Sequence, residues 1–146
     1  MKPDNLQQPA RSILLIDGGR EGAARIQTQF DRGGVSAKVH FVEDGEEAIA
    51  FLLRTEPHTS APRPELIFLD MRLGEGGFEM LSMAKSDRNF ARIPIIVFSL
   101  LENGEVDKAY SMHANCCVRR PQSTEELTLF VEFIRKFWLE LISLPN

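Results

Sequence analysis

The stretch Glu65-Leu66-Ile67-Phe68-Leu69-Asp70-Met71-Arg72 decides how the chain folds. It is apolar on consecutive positions and stops on a carboxylate, with Pro62 and Pro64 before it and Gly74, Gly76 and Gly77 after it. A short run that is apolar at both odd and even positions suits a strand buried on both faces of a parallel sheet. The last residue of such a strand stands at the carboxyl edge of the sheet, where open α/β folds place their chemistry. Asp70 is therefore the first candidate functional residue.

Working outward, the same signature recurs. Ser12-Ile13-Leu14-Leu15-Ile16-Asp17 is an apolar run that also ends on an aspartate, with Gly18-Gly19 behind it. Ile93 to Ser99 (IPIIVFS) is another, ending on a hydroxyl. Ala37 to Val42 is shorter and alternates through Val39 and Phe41, as a strand nearer a sheet edge does. Cys116 to Arg119 is a short fifth strand that runs into Arg120-Pro121.

Helical segments fill the intervals. Glu21 to Phe30 turns Ala23, Ile26 and Phe30 inward and stops at Gly33-Gly34. Asp44 caps a second helix, with Glu47 placed to complete a capping box, and the proline-rich stretch from Thr55 to Pro64 is a loop. Gly77 to Lys85 and Gly104 to Met112 read as the third and fourth helices. Ser123-Thr124-Glu125-Glu126 is a second capping box, opening a long helix to about Ser143. Strand and helix alternating five times predict a parallel five-stranded sheet with helices on both faces, in one α/β domain. Residues 1–10 form a polar leader and residues 11–146 the domain.

The composition narrows the function classes. A net charge of -4 argues against a nucleic-acid-binding surface, which is normally basic. No apolar run approaches the roughly 20 residues that span a bilayer, and no signal peptide is expected. Cys116 and Cys117 are adjacent, so on a strand they point to opposite faces and do not pair with each other. They read as packing residues of a protein of the reducing cytoplasm. The glycines of Gly18-Gly19-Arg20-Glu21-Gly22 do not follow GxGxxG, which argues against a dinucleotide site.

If the strands are parallel, Asp17, Asp70, Ser99 and Arg119-Arg120 share one edge of the sheet. Two carboxylates, a hydroxyl and a cation suit a divalent cation together with a phosphoryl group, one carboxylate serving as nucleophile.

With those residues in view, the chain resembles a two-component response-regulator receiver domain over nearly its whole length. It is most similar to the stand-alone subgroup that partners phytochrome kinases. The resemblance is carried by Ile13 to Asp17, Asp44-Gly45-Glu46-Glu47-Ala48, Ala61 to Asp70, Ile93 to Ser99, His113-Ala114-Asn115-Cys116 and the stretch from Phe137 to Pro145. It implies a flavodoxin-like (βα)5 fold, with a doubly wound sheet. Asp70 would be the phosphoacceptor, taking its phosphoryl group from a sensor histidine kinase in a Mg²⁺-dependent reaction, with no enzymatic activity beyond that self-transfer. Asp17 matches the first residue of the family's acidic pair, Ser99 the hydroxyl that contacts the phosphoryl group, and Arg120, followed by Pro121, the family's lysine.

The departures from the family pattern bear on chemistry. The second acid of the pair is Gly18. Mg²⁺ would then depend on Asp17, Asp70, the backbone carbonyl of Arg72 and water, and its affinity should fall. Glu21 is the next acid along, on a long side chain leaving a glycine-rich loop. Arg120 keeps a positive charge but not lysine's compact ammonium. After Asp70 the family's Pro and Asp-Gly give way to Leu73-Gly74-Glu75-Gly76-Gly77, and the rotating aromatic of the fifth strand is Cys117. These changes leave a second reading open, a phosphorylation-independent pseudo-receiver that acts as an interaction module. In that reading Asp17 is a structural ion-pair partner of Arg20 or Arg120.

The last helix carries a separate signal. Leu127, Phe130, Val131, Ile134, Trp138 and Leu141 share one face and should cover the sheet. Leu129, Phe133 and Phe137 widen the apolar arc beyond what core packing uses. This predicts a homodimer through Leu129, Phe133, Phe137 and Trp138. No DNA-binding or catalytic output domain is expected after Leu144, so the expected mode of signalling is by protein contact.

Overall fold

The computed structural model describes residues 11–99 and 104–136. In chain order the elements are β1 (Arg11–Ile16), α1 (Arg20–Arg32), β2 (Ala37–Val42), α2 (Gly45–Leu53), β3 (Leu66–Asp70), α3 (Glu75–Ser86), β4 (Ile95–Ser99), α4 (Glu105–Ser111), β5 (Cys116–Arg119) and α5 (Thr124–Ile134). A single 3-10 turn, Met71–Leu73, links β3 to α3. The strands lie in the order β2-β1-β3-β4-β5, all parallel. This is the doubly wound, flavodoxin-like arrangement expected from the alternating pattern. Its order reverses direction between β1 and β3, which opens a crevice at the carboxyl ends of those two strands.

The central strands are apolar throughout because both faces are covered. Leu14, Ile16, Ile67, Leu69, Ile95 and Val97 pack under α2, α3 and α4. Ile13, Leu15, Leu66, Phe68, Ile96 and Phe98 pack under α1 and α5. Each fully buried side chain of this size contributes about 1.5–3 kcal/mol relative to exposure. Phe130 of α5 meets Phe68 and Phe98 edge-on, with ring centroids 5.4 and 5.2 Å away. In α1 the buried residues are Ala23, Ile26 and Phe30, as their spacing predicts. Cys116 and Cys117 form no disulfide among the described residues and face the two different cores. Burial pushes the Cys116 thiol up from its ordinary value.

Both capping boxes form, each with one change. Glu47 and Glu126 donate their amides to the side chains of Asp44 and Ser123, at 2.8 and 3.1 Å. Their own carboxylates reach back one residue further than the simple pattern, to the amides of Glu43 (3.0 Å) and Gln122 (2.8 Å).

The glycine-rich stretch after β3 differs from its sequence reading. It is not a loop to Gly77: α3 begins at Glu75, immediately after Gly74 at φ +65°. Gly76 and Gly77 lie in its first turn, where the start of α2 packs closely against it. A Cβ on Gly45 would fall on the Gly76 carbonyl group. In α2 itself Leu53 is exposed.

At the opposite edge of the sheet, the Lys85 ammonium donates to the carbonyls of Ala91 (3.1 Å) and Ile93 (2.9 Å) and to Asn115 Oδ1 (2.7 Å). That same Asn115 oxygen accepts the amide of Ile95 at 2.9 Å. Burial lowers the Lys85 pKa from its ordinary value. The described residues end at Lys136, so Phe137, Trp138 and Leu141 lie outside them.

Candidate functional site

Each candidate side chain is delivered by a strand end. Asp17 directly follows β1, and its amide donates to the Val42 carbonyl (3.2 Å), extending the pairing with β2 by one residue. Asp70 closes β3 and Ser99 closes β4. Arg120 follows β5, and its amide donates to the Ser99 carbonyl at 2.9 Å. Asp17, Asp70 and Ser99 are buried polar residues, and all three stand at this one edge.

The two carboxylates are bridged twice. The Arg120 guanidinium donates through Nη1 to Asp70 Oδ2 and through Nη2 to Asp17 Oδ2, the latter at 3.0 Å. Arg72 is the second bridge. The turn after β3 forms because Asp70 Oδ1 accepts the Arg72 amide (2.9 Å), and this folds the arginine back over its own aspartate. Its Nε lies 3.3 and 3.2 Å from the two Asp70 oxygens. Its Nη2 lies 3.1 Å from Asp70 Oδ2 and 3.5 Å from Asp17 Oδ1. The Gly19 amide donates to Asp17 Oδ1 at 3.2 Å.

All four carboxylate oxygens therefore carry a donor, and two formal negative charges face two positive ones. A charge-assisted, partly forked arrangement of this kind is stronger than a neutral hydrogen-bonded one. Beside Asp17 and Arg120 a groove of about 540 Å³ opens between α1 and α5, lined by Gly22, Arg25, Gln29, Gln122 and Leu127 among others.

The expected metal donor set can be tested against this geometry. Among the described residues no three His, Cys, Asp or Glu side chains converge. A Cβ on Gly18 would meet nothing nearer than Leu73 Cδ2 at 3.7 Å, so a side chain has room there and the acid is simply absent. Glu21 does not replace it: its side chain is 90% exposed and lies 3.8 Å from Arg25. A hard divalent cation needs several oxygen ligands, and the two carboxylates present are engaged by guanidinium groups. The residues as they stand do not fit a divalent cation.

Sequence reasoning placed Asp17, Asp70, Ser99 and Arg120 at one edge, and the fold brings them there. It assigned Arg72 only a backbone role and missed its side chain. The available signal was a long cationic residue two positions after a strand-end aspartate, where a tight turn reverses it onto the carboxylate. Leu129 and Phe133 lie on α5, 70% and 39% exposed.

No protein-family model matches the chain. Comparison with individual proteins is informative. The chain is 30% identical over 139 residues to the response regulator Rcp1 of Synechocystis sp., covering 94% of this chain and 95% of that one. The structure of the phosphorylated cyanobacterial phytochrome response regulator RcpA superposes with a TM-score of 0.85 at 32% identity, covering 94% of this chain and 99% of that chain. The Mn²⁺-bound form of Rcp1 gives 0.83 at 30%, covering 93% and 99%.

A parallel five-stranded sheet with an aspartate closing its central strand defines the class as a receiver domain. The chain belongs to the response-regulator family, and one of its relatives there is a cyanobacterial phytochrome response regulator. Among the described residues no helix is long and apolar enough to cross a membrane.

Proposed function

We propose that this protein is a stand-alone receiver that accepts a phosphoryl group on Asp70 from a sensor histidine kinase of the phytochrome type, and that it signals by protein contact from the cytoplasm. The observation that carries this reading is Asp70 itself. It is buried at the carboxyl end of the central strand, between Asp17 and Ser99, with the Arg120 guanidinium on its Oδ2.

In the transfer, an Asp70 oxygen forms a bond to phosphorus while the P–N bond of a phosphohistidine breaks, and the imidazole nitrogen keeps the electron pair. Arg120 and Arg72 then face the phosphoryl oxygens, and Ser99 supplies a hydroxyl at the same edge. The response regulators it resembles, one of them solved in its phosphorylated form, support this reading. A homodimer through α5 completes it, supported by the exposed Leu129 and Phe133.

A second reading, a phosphorylation-independent interaction module, is favoured by one observation: every oxygen of Asp17 and Asp70 is already engaged. Mass spectrometry after incubation with acetyl phosphate, with and without Mg²⁺, separates the two. A labile phosphoryl adduct that disappears in Asp70→Asn supports the phosphoacceptor; no adduct under either condition leaves the interaction module.

A further inference from the structure

The disagreement between the pocket and a divalent cation has its own explanation in Arg72. The guanidinium touches Asp70 at 3.1–3.3 Å and Asp17 at 3.5 Å, so it spans the two carboxylates that a metal would have to share. Its side chain is 56% exposed, against 22% for the more buried Arg120. Position 18 has room for a side chain but offers no oxygen. Mg²⁺ demands near-ideal octahedral oxygen ligation. Here it would meet a positive charge already seated between its two anionic ligands.

We propose that Arg72 is the resident counter-cation of this pocket, holding the place between Asp17 and Asp70 that a divalent ion would need, so that phosphoryl transfer to Asp70 proceeds without a metal. The transfer half of this inference rests on the phosphoacceptor reading above; the occupancy half does not. With phosphoramidate as donor the step balances in atoms and charge. The Asp70 carboxylate oxygen bonds to phosphorus, the P–N bond breaks, and ammonia leaves with the electron pair. The charge that spreads over the phosphoryl oxygens is met by two guanidinium forks, a geometry suited to planar, bidentate contact with phosphate.

Two measurements test it. The first is Mn²⁺ titration followed by the electron paramagnetic resonance of the free ion. The wild-type chain should leave millimolar Mn²⁺ free, and Gly18→Asp/Arg72→Asn should take it up. Uptake by the wild-type chain that is lost in Asp17→Asn would overturn the proposal. The second is labelling by phosphoramidate in EDTA against Mg²⁺. The wild-type rate should be the same in both, and Arg72→Gln should be roughly a hundredfold slower in EDTA, with part of the rate restored in Arg72→Lys. Labelling that requires Mg²⁺ and ignores Arg72 overturns the metal-free transfer. Absence of label under every condition sinks the phosphoacceptor reading and the transfer half with it, while the Mn²⁺ titration still decides who holds the place between the carboxylates. Unchanged urea midpoints in the Arg72 variants keep a folding defect out of both results.

Discussion

Gly22 lies against the Asp17 carboxylate: a Cβ built on it would stand 2.9 Å from Asp17 Oδ2 and 3.8 Å from Arg120 Nη2. The first turn of α1 therefore rests on the candidate site with no side chain between. Elsewhere in a helix, replacing glycine by alanine gains about 1 kcal/mol. At Gly22 the added methyl displaces the carboxylate from Arg120, so Gly22→Ala should give no gain and should slow any labelling of Asp70. Urea unfolding together with acetyl phosphate labelling checks both halves. A variant that is more stable and labels normally would show that Asp17 can move freely.

Arg120 offers the largest electrostatic effect. Arg120→Ala leaves two buried carboxylates sharing Arg72, and removing one partner of a buried ion pair costs about 3–5 kcal/mol. The lower end is expected, since Arg72 remains. Asp17→Asn in the same chain should recover part of the loss, because the two residues are in contact. A double-mutant cycle in urea that comes out additive would contradict the pairing.

Gly45→Ala probes the contact between α2 and α3. Its methyl would occupy the space of the Gly76 carbonyl, and overpacking against backbone costs about 1–3 kcal/mol. A fall in melting temperature with Asp70 chemistry retained is the expected result of calorimetry and labelling. An unchanged melting temperature would mean that the two helices part easily.

Sedimentation of Leu129→Glu and Phe133→Glu tests the dimer. Both residues are exposed on α5, so a charge there should turn a dimer into a monomer at tens of micromolar without altering the urea midpoint. A wild-type chain that sediments as a monomer at that concentration removes the prediction.

His40 carries a pH dependence. It sits on β2 with its ring 5.5 Å from Phe51, and burial, followed by the charge of Lys38, lowers its pKa below the usual 6.5. The folded state thus holds fewer protons than the unfolded one between the lowered value and 6.5. The contribution is present above 6.5 and is lost as pH falls through the folded value. Stability should drop on acidification through that window, and the drop should be smaller in His40→Gln, as urea midpoints between neutral and mildly acidic pH would show.

What was legible in the chain follows from the forces that act locally. Leu66 to Leu69 and Ile95 to Phe98 announced buried parallel strands because burial on both faces leaves no polar position to alternate. Asp44/Glu47 and Ser123/Glu126 announced helix starts because capping is a short-range affair. The beginning of α3 was obscured, since Gly76 and Gly77 look like loop residues until Gly45 is packed against them. Arg72 was obscured for a related reason. Its place over Asp17 depends on the direction of one tight turn and on the pairing of β1 with β3, which residue spacing along the chain does not encode. The ion pair of Asp17 with Arg120 was one of two alternatives that the sequence left open, and the fold selects it over Arg20 by placing Arg120 at the end of β5.

The tie made by Lys85 lies at the other end of the sheet from Asp70 and shares no bond with it. One ammonium fastens the approaches to β4 and β5 whatever stands at the carboxyl edge. Residues of the pocket, Gly18 and Arg120 among them, can therefore be exchanged without loosening the start of β4 or β5.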